Sequence, residues 1–208
     1  MSVAVRTTVA RKGRPTADDA RQKLATVLAV ARDQFAQLGY RAVTIRGVAQ
    51  EADVSTRTLY NWYADKLSLF TACLDFGAEA FPKPDPVSAK SIDDVLKHFA
   101  AEVVRVLSVD SSVRLGMLVY REGAEFPELL RAAESNQDRH LVQPLAAYLR
   151  KIGIESAGRD DRAKLFINMA LSEWQRRIAF RRQLPRDDEI DEHAALVVET
   201  FLYGSKAK

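Results

Sequence analysis

The sequence predicts an all-α protein in two parts, a short helical head followed by a larger helical bundle. Three observations carry this reading. Apolar residues recur at three- and four-residue intervals along most of the chain. No stretch alternates convincingly at the two-residue period of a strand, and no βαβ rhythm appears. The helical pattern is broken where it should be, at Gly39, at Asp53-Val54 and at the alternating prolines Pro82, Pro84 and Pro86. With 208 residues and 47% hydrophobic content, the chain can bury a substantial core.

Taken in order, residues 1–16 hold Arg6, Arg11, Lys12 and Arg14 before any acidic residue appears, and Gly13 and Pro15 discourage a helix. A flexible basic arm is expected. From Asp18 or Asp19 a first helix runs to Leu38, its apolar stripe formed by Leu24, Val27, Leu28, Ala31, Phe35 and Leu38, with Gly39 stopping it. Thr44 is suited to cap a second helix whose Ile45, Val48, Ala49 and Ala52 share one face. Asp53 tolerates the left-handed backbone of the following turn, and Ser55 caps a third helix from Thr56. Leu59 and Tyr63 face the second helix, leaving Thr56, Arg57, Thr58, Tyr60 and Trp62 outward. Asp65 caps a fourth helix, 66–80, before the prolines redirect the chain. Further helices are expected at about 91–109, 112–122, 127–151, 160–183 and 187–203, with Pro127 in a first turn and Glu128 near its positive end.

Two short helices joined by a tight turn, the second opening with hydroxyls and an arginine, form the pattern of a helix-turn-helix reader. Such a helix offers donors to phosphates and base edges in the major groove. Charge agrees with that placement. The net charge is +3, but residues 1–66 hold 11 basic against 6 acidic residues and residues 67–208 hold 20 against 22, so the positive excess sits with the head. The basic arm would add phosphate or minor-groove contacts.

The order Thr44, Val48-Ala49, Val54-Ser55, Thr58-Leu59-Tyr60, an aromatic pair at 62 and 63, then Lys66, resembles the TetR family of bacterial transcription regulators over roughly Leu24 to Leu74. The expected DNA-contacting set is Thr44, Ser55, Thr56, Arg57, Thr58, Tyr60, Trp62 and Lys66, the resemblance implying a phosphate contact for Lys66. Asp53 and Arg57 stand where glycine is common in that family, and Trp62 where histidine or tyrosine is common. Arg57 brings a guanidinium that could bond a guanine edge bidentately. Arg121 to Leu129, REGAEFPEL, is similar to the Glu…Phe-Pro-Glu-Leu segment of the AefR-like subgroup. Read from the residues alone it is a helix break, with Arg121 and Glu122 in a helix-end salt bridge.

The segment from His193 to Leu202 is apolar on nearly all sides, and Leu165, Phe166, Met169, Ala170, Trp174 and Ile178 give the preceding helix a broad stripe. A homodimer through these last two helices is expected, with Val197 and Phe201 in its interface. Arg176, Arg177, Arg181 and Arg182 read as a solvated rim. The implied organisation is an arm (1–16), a three-helix helix-turn-helix DNA-binding domain (17–65), a connecting helix (66–81) and a helical effector-binding and dimerisation domain (82–208). The expected function is a repressor on a palindromic operator, released when a small, largely apolar effector held within 92–180 tilts the fourth helix. The alternatives are a helical interaction protein regulated by a protein partner, and a transcriptional activator.

Enzymatic chemistry finds no support. His98, His140 and His193 lack metal-ligand spacing, and no phosphate-cradling glycine loop or nucleophile elbow appears, so no catalytic residue, metal or cofactor is expected. The single cysteine, Cys73, reads as a small buried residue and suits a reducing compartment. No apolar run reaches the roughly 18 residues of a membrane span and no apolar signal core opens the chain, so a soluble cytoplasmic protein is expected.

Overall fold

The computed structural model describes residues 17–85, 91–155, 158 and 160–204; the expected arm and Pro86 lie outside them. The described residues are helical, without a strand. The head consists of α1 (Ala17–Ala42), α2 (Ile45–Glu51) and α3 (Thr56–Trp62), and α4 (Lys66–Ala78) leads out of it. The remainder comprises α5 (Ile92–Leu107), α6 (Asp110–Glu122), α7 (Pro127–Gln137), a π-helical turn (Asp138–Val142), α8 (Gln143–Lys151), α9 (Asp161–Ala179) and α10 (Asp187–Tyr203).

Two differences from the expected helices have local causes. The helix expected over 127–151 is interrupted by the π turn, in which the Gln143 N–H reaches Asp138 O five residues back. Pro144 follows at once. It has no N–H for the carbonyl of residue 140 and its ring crowds that carbonyl, so the chain widens there rather than continuing as a regular α-helix. The helix expected to reach 183 ends at Ala179. Arg181 turns left-handed (φ 50°), and the Arg182 N–H bonds Arg177 O while the Arg181 N–H bonds Ile178 O, a Schellman ending closed without glycine.

The apolar interior forms two clusters, and they do not divide at residue 82. One joins Val27, Phe35, Val48, Leu59 and Phe70 of α1–α4 to Leu115, Leu118 and Leu129 of α6 and α7. The other joins α5, α8, α9 and α10 through residues such as Phe99, Leu145, Phe166 and Val197. Val197 is 3% exposed and Phe201 packs edge-on to Phe166 at 5.1 Å, so both of the residues expected at a dimer interface serve the core of their own subunit. The large outward apolar residues of α9 and α10 are Leu165, Leu196 and Tyr203, 54%, 60% and 62% exposed. Arg176 and Arg177 are held by Glu173, and Arg177 also by Glu189, which ties α9 to α10. Only Arg181 and Arg182 of the expected rim lack such a partner among the described residues.

The join between head and bundle is made at a break in α1. Gly39 sits at φ 83°, ψ 165°, a conformation essentially reserved for glycine, and the chain resumes helical form for a few residues. The Tyr40 and Arg41 N–H groups thereby lose their partners in α1. Glu122, the last residue of α6, supplies one: its Oε2 accepts from Tyr40 N at 2.9 Å and Arg41 N at 3.2 Å, while Oε1 accepts from Arg121 at 2.7 Å. Arg41 pairs with Glu125, and the Tyr40 ring meets Phe126 edge-on at 5.2 Å. The expected helix-end salt bridge between Arg121 and Glu122 is present, but the carboxylate's principal office is to cap another helix 82 positions earlier in the chain.

Gly39→Ala should destabilise the protein by about 2–4 kcal/mol, because a side chain there suffers the strained backbone and also runs into the Glu122 carboxylate. Thermal unfolding followed by circular dichroism measures it. Glu122 also makes an acid-dependent contribution. Burial pushes its carboxyl up, but the bonds from Arg121 and the two backbone N–H groups outweigh burial and hold it below its ordinary value of 4.5. A carboxyl whose pKa is lower folded than unfolded stabilises the fold above the unfolded pKa, and that stabilisation drains away as pH falls through the folded one. Wild-type stability should therefore fall more steeply below about pH 4.5 than that of Glu122→Gln, and parallel pH profiles of the two melting temperatures would refute the assignment.

Candidate nucleic-acid interface

The aliphatic residues that bury the motif lie on its inner side and leave the opposite face of α3 outward. Ile45, Val48 and Ala49 of α2 and Leu59 of α3 are at most 5% exposed and share one cluster. Thr44 Oγ1 accepts from Gly47 N at 3.0 Å and closes the first turn of α2. The turn between the helices is a left-handed ending at Asp53 (φ 51°), with the Val54 N–H bonded to Ala49 O at 2.9 Å. That aspartate does the work glycine usually does at such an ending. Ser55 Oγ then accepts from Thr58 N at 3.0 Å, and the Ser55 and Thr58 hydroxyls bond one another at 2.7 Å.

This geometry divides the sequence-predicted contact residues by what their polar atoms are already doing. Thr44, Ser55 and Thr58 have hydroxyls committed to caps, so they shape the motif first and can offer only their remaining capacity to a ligand. Arg57, Tyr60 and Trp62 are exposed, and Thr56 is half-buried at the start of the same helix. Tyr63 turns inward and ends α3, its phenol pushed up to about 12 mainly by burial, with Cys73 adding to the effect. Cys73 is itself fully buried, its thiol driven up to about 12 by burial against a small opposing influence of Arg32, which leaves an inert thiol rather than a reactive one.

Lys66 is not a free cation at the edge of the head. Its Nζ donates to Tyr40 O at 2.8 Å and Arg41 O at 3.3 Å and lies 4.5 Å from the centre of the Tyr40 ring. Burial pulls the ammonium below its ordinary range, with Glu122 opposing. Its third N–H bond has no hydrogen-bond acceptor among the described residues. The sequence reading passed over Arg46, an exposed residue of α2 next to the buried Ile45. Arg46 and Arg57 are the only cations between Thr44 and Trp62, and neither is paired with a described acidic residue. The signal was there: position 46 lies about 100° around the helix from the apolar stripe, and no carboxylate of α2 or α3 stands at i±3 or i±4 from it. Among the described residues no group of three or more His, Cys, Asp or Glu could hold a metal ion, and no helix is long and apolar enough to cross a membrane.

Residues 27–73 match the family model of bacterial regulatory proteins of the tetR family, a span that covers α2, α3 and most of α1 and α4. The HTH-type transcriptional regulator YdeS of Bacillus subtilis is 28% identical over 128 residues, 61% of this chain, and the chain spans 56% of that relative's length. A TetR transcriptional regulator from Agrobacterium tumefaciens superimposes with a TM-score of 0.66 at 26% identity, over 86% of this chain and 92% of its own. A TetR-family regulator from Mesorhizobium loti gives 0.69 at 21% identity over 88% and 96%. The helix-turn-helix with its two hydroxyl caps and the family match across it agree: residues 27–73 form a helix-turn-helix segment of the tetR type, and the chain as a whole has the fold of TetR-family transcriptional regulators.

Proposed function

We propose that the protein is a transcriptional repressor that binds a palindromic operator as a homodimer and lets go of it when a small effector enters the bundle. The observation that carries the DNA-binding reading is the exposed face of α2 and α3, where Arg46 and Arg57 stand unpaired beside Tyr60 and Trp62. A guanidinium without a carboxylate is free to meet a phosphate or the O6/N7 edge of guanine. Arg57, in α3, is the candidate base reader. Arg46, Thr44 and the remaining N–H of Lys66 are phosphate contacts.

The dimer reading rests on a face without charge. Asn168 and Ser172 of α9 and His193, Leu196 and Thr200 of α10 line one shallow groove. None of these is Asp, Glu, Lys or Arg, whereas the other outward positions of the two helices are largely acidic or basic. Depletion of charge at the centre of a patch is the compositional mark of a subunit interface, and two-fold proteins of this kind read two-fold sites.

The effector reading rests on a cavity of about 180 Å³. It is not confined to 92–180 as the sequence suggested, because Arg32 of α1 and Cys73, Leu74, Gly77 and Ala78 of α4 join Leu115, Gly116 and Val119 of α6 in its wall. Both helices that end at the Tyr40-Arg41 break, α4 through Lys66 and α6 through Glu122, therefore touch whatever fills it. A ligand that shifts either helix moves the head, and effector and operator affinities fall together by linkage.

In titrations against DNA flanking its own gene, Arg57→Ala should cost on the order of 1–3 kcal/mol and relax the preference at one position per half-site. Arg46→Ala should weaken all sequences alike and shallow the salt dependence by about one unit. Affinities equal to wild type for both variants would overturn the assignment. Lys66→Ala should lower the melting temperature as well as DNA affinity, since it uncaps Tyr40 and Arg41. For the dimer, Leu196→Glu, which faces out rather than into the core, should give a folded monomer by sedimentation with little operator affinity; a dimer unchanged by that substitution would place the interface elsewhere.

A further inference from the structure

We infer that the cavity, read above as the effector site, takes a small organic carboxylate about one ring in size, with the carboxylate on Arg32 and an oxygen on the indole N–H of Trp174. The first observation is electrostatic. Arg32 is the sole charged residue among the described residues of the wall, and no Asp or Glu stands there with it. It has no ion pair: Nη2 donates to Ser111 Oγ at 3.2 Å, the guanidinium lies 5.9 Å from the centre of the Phe76 ring, and Nε is buried without a partner. The carboxylate nearest along α4, Asp75, is already taken by Asn136, Arg139 and His140. A partly buried guanidinium whose Nε–H is buried without an acceptor carries a cost that an anion at this wall would relieve.

The second observation is independent of charge. Trp174 is 6% exposed and lines the same cavity, yet its Nε1 is buried with no acceptor among the described residues. A buried indole N–H ordinarily finds a partner. The third is steric. Gly77 and Gly116 are the residues against which these two side chains lie, since a Cβ on Gly77 would come within 3.2 Å of Arg32 Nη2 and one on Gly116 within 3.1 Å of Trp174 Cη2. Glycines at both places let the donor-bearing side chains lie close to the backbones of α4 and α6. The rest of the wall is mostly apolar, including Leu74, Leu115, Val119 and Leu171. At about 180 Å³ the space is slightly larger than the roughly 150 Å³ that accepts benzene in an apolar cavity, which sets the size of the ligand's body. Because Arg32 belongs to α1, such an anion would touch the head itself.

The test is calorimetric titration of the full chain with benzoate, phenylacetate and hexanoate, against benzamide and benzylamine as neutral and cationic counterparts of benzoate. At least one carboxylate should bind saturably, with benzamide roughly tenfold or more weaker than benzoate and benzylamine weaker still. Arg32→Gln should erase the preference for the acid while still admitting benzamide, and Trp174→Phe, which removes the N–H and enlarges the cavity, should weaken carboxylate binding. Far-UV circular dichroism checks both folds, and if Arg32→Gln does not fold the decision passes to Trp174→Phe. Benzamide binding as well as benzoate, an acid preference that survives Arg32→Gln, unchanged affinity in Trp174→Phe, or no binding by any of the three acids up to millimolar concentration would each overturn the proposal. Operator retardation by wild type without ligand is scored separately. DNA binding without acid preference sinks this inference alone, whereas acid binding without DNA binding sinks the regulatory reading and leaves the site.

Discussion

The structure turns on two residues at the break in α1. Breaking a helix at Gly39 exposes polar backbone on both sides of the break, and the fold answers each side with an ion from a different helix. Lys66 at the start of α4 donates to the Tyr40 and Arg41 carbonyls; Glu122 at the end of α6 accepts from the N–H groups of the same two residues. Opposite charges bridged through two peptide units satisfy backbone groups that the break leaves without helical partners, and at Tyr40, where both bonds are partly buried, the exchange is worth more than a surface ion pair. Around it Tyr40 packs on Phe35, Phe70 and Phe126, so the polar clasp sits inside an aromatic shell drawn from α1, α4 and the α6–α7 loop.

That clasp gives the cavity a mechanical route to the head. α4 and α6 each run from the cavity wall to Tyr40-Arg41, one carrying the cation and the other the carboxylate. α4 is also held further along, where Asp75 gathers Asn136, Arg139 and His140 beside the π turn. Under the proposed function, a ligand that displaced α4 or α6 would carry the displacement to the head, whose own apolar cluster extends through α4 into α6 and α7.

Much of the head was legible in the sequence because its signals are local. Thr44 and Ser55 cap the helices they were expected to cap, and Asp53 adopts the left-handed turn that its side chain tolerates. The clasp was not legible. Glu122 and Tyr40 are 82 positions apart, and nothing in the order of residues says that a carboxylate beside Arg121 faces a helix break instead of solvent. The same limit explains Lys66, whose cation looks available until Tyr40 and Arg41 are seen above it. Val197 and Phe201 illustrate a second limit: an all-apolar helix must bury every side, but its sequence does not say which side meets its own subunit. Pro144 carried its signal openly, and the π turn before it could have been anticipated from the missing N–H alone.

The most direct test is the affinity of wild type and Glu122→Gln for the same flanking DNA, at a pH and temperature where circular dichroism shows both fully folded. Residue 122 lies on α6, outside the helix-turn-helix. If the clasp orients the head, the amide, which accepts more weakly than a carboxylate, should loosen Tyr40-Arg41 and weaken binding severalfold without altering the preferred sequence. Identical affinities would mean that the head holds its position without Glu122, and would contradict the coupling on which this account depends.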